Sequence, residues 1–103
     1  MPPRLSHTVA ILLKALSLEY RFGFEIMEVT GLPSGSVYPA LRRLERDGLV
    51  DSSWEAEDEA MKEQRPARRY YTLTRAGREV LHKAASRYPM LARLIPQKGA
   101  QPL

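Results

Sequence analysis

The sequence predicts a mostly helical fold that carries one small β-hairpin. Apolar residues recur three and four apart over the first half of the chain and again after residue 74. Between those halves two short runs, LVDSSW (residues 49–54) and RYYTLT (69–74), alternate with a period of two. Helical and strand periods differ because side chains repeat every 3.6 residues around a helix and every second residue along a strand.

The elements follow in order. Ser6 can cap a first helix running to about Leu18, with Val9, Leu12, Leu13 and Leu16 on one face and Ile11 and Leu18 adding apolar surface beside it. So apolar a circumference predicts burial on more than one side and hints at a partner subunit. A second helix fits Gly23 to Thr30, stopped by Gly31, with Phe24, Met27 and Val29 as its apolar contacts. Leu32-Pro33-Ser34 makes the turn into a third helix, because Pro33 cannot continue a helix and holds Leu32 extended. In the two strands Val50, Ser52 and Trp54 share one face, as do Tyr71 and Leu73. Trp54 reads as a core residue of the hairpin. The polar stretch EAEDEAMKEQRPAR between the strands reads as a long, mobile loop. Thr74 can cap the last helix, where Gly77, Leu81, Ala84, Tyr88, Leu91 and Ile95 form a heptad-like seam that Pro89 kinks or restarts. The tail from Pro96 on is expected to be disordered.

Totals narrow the function. The chain has 103 residues, enough for one core. It has no cysteine, which removes disulfides and thiolate sites and suits a reducing cytoplasm. The longest apolar stretch, VAILLKALSL, is too short to span a bilayer and resembles no signal peptide, so no membrane partner is expected. The net charge of +4 is unevenly laid out: +1 over residues 1–50, −5 over 51–64 and +8 over 65–103. A basic half is an electrostatic footprint for a polyanion such as nucleic acid, although a solvated surface on a basic protein gives the same count.

The third helix adds geometry. At about 100° per residue, with Val37 at zero, Leu41 falls at about 40° and Leu44 at about −20°, a buried stripe. Arg42 falls at about 140°, Gly35 at about 160°, Arg46 at about 180° and Pro39 at about 200°, all on the opposite face. Tyr38 flanks this face on one side, Ser36 and Arg43 on the other. With the helix proper starting at Ser36, Pro39 lies in its first turn, where no backbone bond is lost. Ser34, Gly35, Ser36 and Pro39 make a small, flat leading end, and Arg42 and Arg46 make the face basic further along. That shape suits a DNA major groove, with Tyr38 and the serines on phosphates and Arg42 on a base edge or a phosphate. A solvated helix with Arg42 or Arg46 paired to Glu45 reads equally well from this stretch alone.

Helix, helix-turn-helix, then hairpin is the order of a winged helix-turn-helix domain. Within it, GLPSGSVYPALRRLERDGLVDSSWE followed by RPARRYYTLTRAGREVL resembles the PadR family of bacterial transcriptional regulators. The resemblance rests on the Gly-Ser-x-Tyr-Pro-x-Leu start of the third helix, the Leu-Glu-x-x-Gly-Leu exit and the Trp-Glu of the first strand. It also rests on the Arg-x-Tyr-Tyr-x-Leu-Thr-x-x-Gly run and the Phe22-Gly23-Phe24-Glu25-Ile26 stretch. It covers about residues 5–88. It implies a DNA-binding domain over 5–74, a dimerisation helix over 75–95 and a repressor that binds a near-palindromic operator as a homodimer. Dimer contacts would come from Leu12 and Leu16 of the first helix and Leu81, Ala84, Tyr88 and Leu91 of the last. Two departures stand out. The C-terminal region is short and broken by Pro89, and the wing loop carries Glu55, Glu57, Asp58, Glu59 and Glu63. An acidic tip repels phosphate, so only Arg65, Arg68 and Arg69 at its base are expected near DNA. Some relatives take aromatic or drug-like effectors at the dimer interface; a small aromatic effector is thus admitted, although no residue here marks its pocket.

Other chemistry finds little support. His7 and His82 lack partners at ligand spacing, so no metal is expected, and no Gly-rich loop suggests a phosphate cofactor. No serine has a histidine base nearby in sequence, so an enzyme is not expected. A winged-helix protein–protein module is the alternative to a DNA-binding regulator. Basic residues on both the third helix and the wing base (Arg42, Arg46, Arg65, Arg68, Arg69) favour DNA.

Overall fold

A computed structural model describes residues 6–97. Helices α1 (His7–Ser17), α2 (Gly23–Thr30) and α3 (Ser34–Arg46) come first. Strand β1 (Val50–Trp54), a short helix α4 (Glu57–Lys62) and strand β2 (Arg69–Leu73) follow, and α5 (Arg75–Arg87) and α6 (Leu91–Leu94) complete the chain.

Helix α1 is the centre of the molecule. Ser6 caps it, its side chain accepting from the Val9 amide at 3.2 Å, and Ala10, Leu12, Leu13, Ala15 and Leu16 are all buried. It touches α2, α3, β2, α5 and α6. The chain's own elements cover part of the surplus apolar surface that the sequence pointed toward a partner; Ile11 and Leu18 stay half-buried. Leu12, Leu13 and Leu16 join Tyr20, Ile26, Val37, Leu41, Leu44, Leu49, Val50 and Tyr71 in one core.

Helix α2 keeps its expected bounds and ends at Gly31, whose φ of 74° is the left-handed cap that glycine adopts without a Cβ clash. Its core contact is Ile26, fully buried, with Met27 and Val29 packed beside it. Phe24 points outward instead and is 62% exposed. Helix α3 begins at Ser34, two residues earlier than expected, with Pro33 at its N-cap. The amides of Ser36 and Val37 already bond to the Pro33 carbonyl at 2.9 and 3.0 Å. Pro39 is thus the sixth helical residue, in the second turn, and costs the helix the bond that an amide there would donate to the Gly35 carbonyl. Gly35 and Pro39 are both exposed, which leaves that carbonyl within reach of water.

The hairpin pairs antiparallel in the register Val50 with Leu73 through Trp54 with Arg69. Residues Arg21 and Phe22 add a stub to the other edge of β2: Phe22 bridges Tyr70, and the Tyr71 amide donates to the Arg21 carbonyl at 2.7 Å. The segment expected as a plain loop contains α4, with Ala60 buried on its inner side. Trp54 is not a core residue; it is 65% exposed.

Thr74 caps α5 through the Gly77 amide at 3.1 Å. Gly77 has a steric reason to be glycine, since a Cβ there would collide with the Leu49 carbonyl oxygen. The helix stops at Arg87, before Pro89, and restarts as α6, as the proline predicts. Ala84 and Leu91 pack on Ala10, with Ile11 and Tyr88 alongside. Ile95 enters the main core, and the Tyr20 hydroxyl donates to the Pro96 carbonyl at 2.8 Å, so the expected disorder does not begin at Pro96. The rest of that stretch, from residue 98, lies outside the described residues.

Candidate nucleic-acid interface

Packing sorts α3 into two faces. Val37, Ala40, Leu41 and Leu44 are buried against α1, α2 and β1. Ser34, Gly35, Tyr38, Pro39, Arg42, Arg43 and Arg46 are exposed, and Ser36 is half-buried. Glu45, which could have neutralised Arg42 one turn away, turns to the hairpin instead. It accepts a hydrogen bond from the Ser52 hydroxyl and pairs with Arg69 at 3.5 Å. Among the described residues neither Arg42 nor Arg43 has a carboxylate within ion-pairing distance. Arg46 reaches Asp47 at 3.3 Å, with 71% of its side chain exposed, and such a surface pair is worth about 1 kcal/mol at most.

The leading end of α3 has no side-chain cap. With Ser36 and Val37 bonded to the Pro33 carbonyl, the amides of Ser34 and Gly35 are the ones open to an anion, which the helix dipole attracts. Tyr38 lies against Gly23: a Cβ on Gly23 would run into the Tyr38 ring and hydroxyl. Glycine at that position lets α2 and α3 close on each other and leaves Tyr38 40% exposed.

The three arginines at the wing base are held in different ways. Arg65 grips Glu55 with both guanidinium nitrogens, at 2.5 and 2.9 Å, and its side chain is only 22% exposed. Glu55 also accepts from the Arg68 amide at 3.3 Å and the Tyr70 hydroxyl at 3.1 Å. The Arg65 hydrogen bonds hold the Glu55 carboxyl at a pKa of about 2, helped by the Arg68 amide and Tyr70 and opposed by burial. Arg65 is raised in turn, chiefly by Glu55. This pair closes the wing and is not offered outward. Arg68 and Arg69 are half-buried. Arg68 lies over the Phe22 ring, 4.1 Å from its centroid, and Arg69 lies 5.2 Å from the Trp54 centroid.

Sequence reasoning groups Glu55 with the acidic tip because charge runs are counted along the chain. Its position one residue beyond the last cross-strand pair, where its amide donates to the Arg68 carbonyl at 2.8 Å, is what makes it a latch. Phe24 and Trp54 are likewise surface residues that the sequence did not mark as such, and Phe22 is half-buried.

Of the residues expected at a dimer contact, Leu12, Leu16, Ala84 and Leu91 are buried inside one chain. Leu81 and Tyr88 are half-buried. Met90 and Leu94, which the sequence reading passed over, are 59% and 55% exposed. Among the described residues no helix is long and apolar enough to cross a membrane.

This arrangement of helices and hairpin recurs in solved structures. A PadR-like transcription factor from Bacteroides fragilis is 25% identical, with 82% of each chain covered and a TM-score of 0.66. A PadR family transcription regulator from Clostridium difficile R20291 is 22% identical over 86% of this chain and 94% of that one, with a TM-score of 0.70. A point mutant of ZitR from Lactococcus lactis is 21% identical over 89% of this chain but only 58% of its own length, with a TM-score of 0.69. The latter two show a common fold. No curated protein matches in sequence. The sequence does match the family model of PadR-like transcriptional regulators over residues 12–83. With that match spanning most of the chain, the protein belongs to the PadR-like family of transcriptional regulators.

Proposed function

We propose that the protein is a sequence-specific, DNA-binding repressor that works in the cytoplasm as a homodimer on a near-palindromic operator, and that it is not an enzyme. One observation carries the reading: the outward face of α3 presents Arg42 and Arg43 without a neutralising carboxylate, because Glu45 is held by Ser52 and Arg69. A solvated helix of no function would be expected to pair those charges within itself.

In this reading α3 enters the major groove by its small end, Ser34, Gly35, Ser36 and Pro39. Tyr38 and Arg46 contact phosphates, and Arg42 reaches a base edge. Arg68 and Arg69 flank the groove, and Arg65 supports the wing without touching DNA. The dimer forms through residues 75–95, using Met90 and Leu94, which one chain leaves exposed, beside the half-buried Leu81 and Tyr88. A small aromatic effector, if the protein takes one, would bind at that contact.

Selection of bound sequences from random duplex DNA tests the core of this. A symmetric motif with half-sites about 34 Å apart supports a dimer presenting two α3 helices. Recovery of no motif overturns sequence-specific binding. Sedimentation at micromolar concentration should give a dimer, and a stable monomer would overturn that part alone. Placing the selected site across a reporter promoter should lower expression when the protein is present; unchanged or raised expression would overturn repression.

A further inference from the structure

A groove of about 630 Å³ runs between the start of α2, the side of α3 and the hairpin. Its walls include Phe22, Phe24, Tyr38, Trp54, Arg68 and Arg69. On the α3 wheel Tyr38 precedes Arg42 by one turn, so the groove adjoins the face assigned above to DNA. A helix seated in the major groove has a phosphodiester strand along each side, and this groove lies where the hairpin-side strand would run.

We infer that the groove seats that phosphodiester strand, with Arg68 as a phosphate contact, Phe22 as the residue that positions its guanidinium, and Phe24 and Trp54 against the sugars. The inference rests on the DNA-binding reading above. Arg68 lies over the Phe22 face, its guanidinium carbon 4.1 Å from the centroid, and a guanidinium held there still has N–H donors for an oxyanion. Phe22 is itself held edge-on by Tyr70, with centroids 5.8 Å apart and planes at 88°. Among the described residues no carboxylate pairs with the Arg68 side chain. Arg69 is the weaker contact, since Glu45 stands 3.5 Å away. Phe24 and Trp54, 62% and 65% exposed, are too open to enclose a small ligand. Beside a sugar–phosphate strand they would lose that exposure.

Binding is measured by fluorescence anisotropy on the selected operator and on random duplex, across a salt series. Arg68→Ala should lower affinity about tenfold on both DNAs, as loss of a charge-assisted bond does. It should also reduce the salt slope by about 1, as loss of one phosphate contact does. Arg68→Lys should keep the salt slope yet lose affinity, because an ammonium cannot lie flat on the ring. Phe22→Leu should weaken binding in the wild-type background and add nothing to Arg68→Ala. Emission from Trp54, the one tryptophan of the chain, should change when operator is added. Wild-type affinity and slope in Arg68→Ala, while the wild-type protein still binds and Arg42→Ala binds more weakly, would overturn the inference and leave the DNA-binding reading standing. Equal affinity of Arg68→Lys and wild type would overturn the positioning role of Phe22. Unchanged Trp54 emission in the bound complex would overturn the seating of the strand. Failure of the wild-type protein to bind any DNA would strike the parent reading first.

Discussion

Helix α3 and the hairpin loop both carry arginines, and the two regions use them in opposite ways. On α3, Arg42 and Arg43 project from a helix whose other face is fully buried, and no carboxylate meets them among the described residues. In the hairpin, Arg65 is held by Glu55, Arg68 lies on Phe22, and Arg69 is shared between Glu45 and Trp54. The lesson is that charge counted along a chain is not charge available to a partner. The +8 of the C-terminal segment draws attention to the wing, yet Arg65 and Arg69 there are met by carboxylates, whereas Arg42 and Arg43 meet none among the described residues, in a segment with a net charge of only +1.

The largest effect should come from the buried side of α3. Leu41 is fully buried, so Leu41→Ala should lower stability by about 2–5 kcal/mol, read as a fall in Tm or in the denaturant midpoint. If the two faces are as separate as the burial suggests, Arg42→Ala one residue away should leave Tm unchanged and instead cost about 1–3 kcal/mol of operator binding. A large stability loss in Arg42→Ala would mean that the face packs on something and would undo the contrast. Arg46→Ala sharpens it further. Its Asp47 pair is worth so little that stability should move by about 1 kcal/mol at most, while binding weakens alike on every sequence if Arg46 touches phosphate.

Much of the fold is legible because local rules and tertiary packing agree. Ser6, Gly31 and Thr74 cap or stop helices as their types predict, and Pro89 ends α5 where a missing amide must. The misreadings share one cause, which is that local rules cannot see what lies across the fold. Residue type assigns Phe24 and Trp54 inward, but the sheet that would cover Trp54 has only two strands and a stub, so one hairpin face stays open. Starting α3 at Ser36 places Pro39 in the first turn. The helix instead tolerates Pro39 in its second turn, because the carbonyl it deprives belongs to an exposed glycine. The basic face of α3 can be drawn from the wheel. The commitments of Arg65, Arg68 and Arg69 cannot, because each depends on a partner ten or more residues away, on the opposite arm of the hairpin, on the Phe22 stub or on α3, that only the tertiary fold brings close.

The smallest effect at neutral pH, and the sharpest test of the hairpin half of the contrast, concerns Glu55. Its pKa is depressed from an ordinary value near 4.5 to about 2, first by Arg65. A carboxylate depressed on folding contributes stability that is fully present above its unfolded pKa and is lost as pH falls through its folded value. The hairpin should therefore be insensitive to pH from 7 down to about 5 and loosen progressively between about 4.5 and 2. Carboxyl titration followed by NMR should put the Glu55 midpoint near 2 in the wild-type protein and move it up toward the ordinary value in Arg65→Ala. That same variant should leave the salt slope of DNA binding unchanged, because a guanidinium held by both its nitrogens on a carboxylate releases no counterion from phosphate. A Glu55 midpoint unmoved in Arg65→Ala would show that Arg65 is not what closes the wing. A slope that falls by about 1 would return Arg65 to the interface, with the hairpin then resembling α3 instead of opposing it.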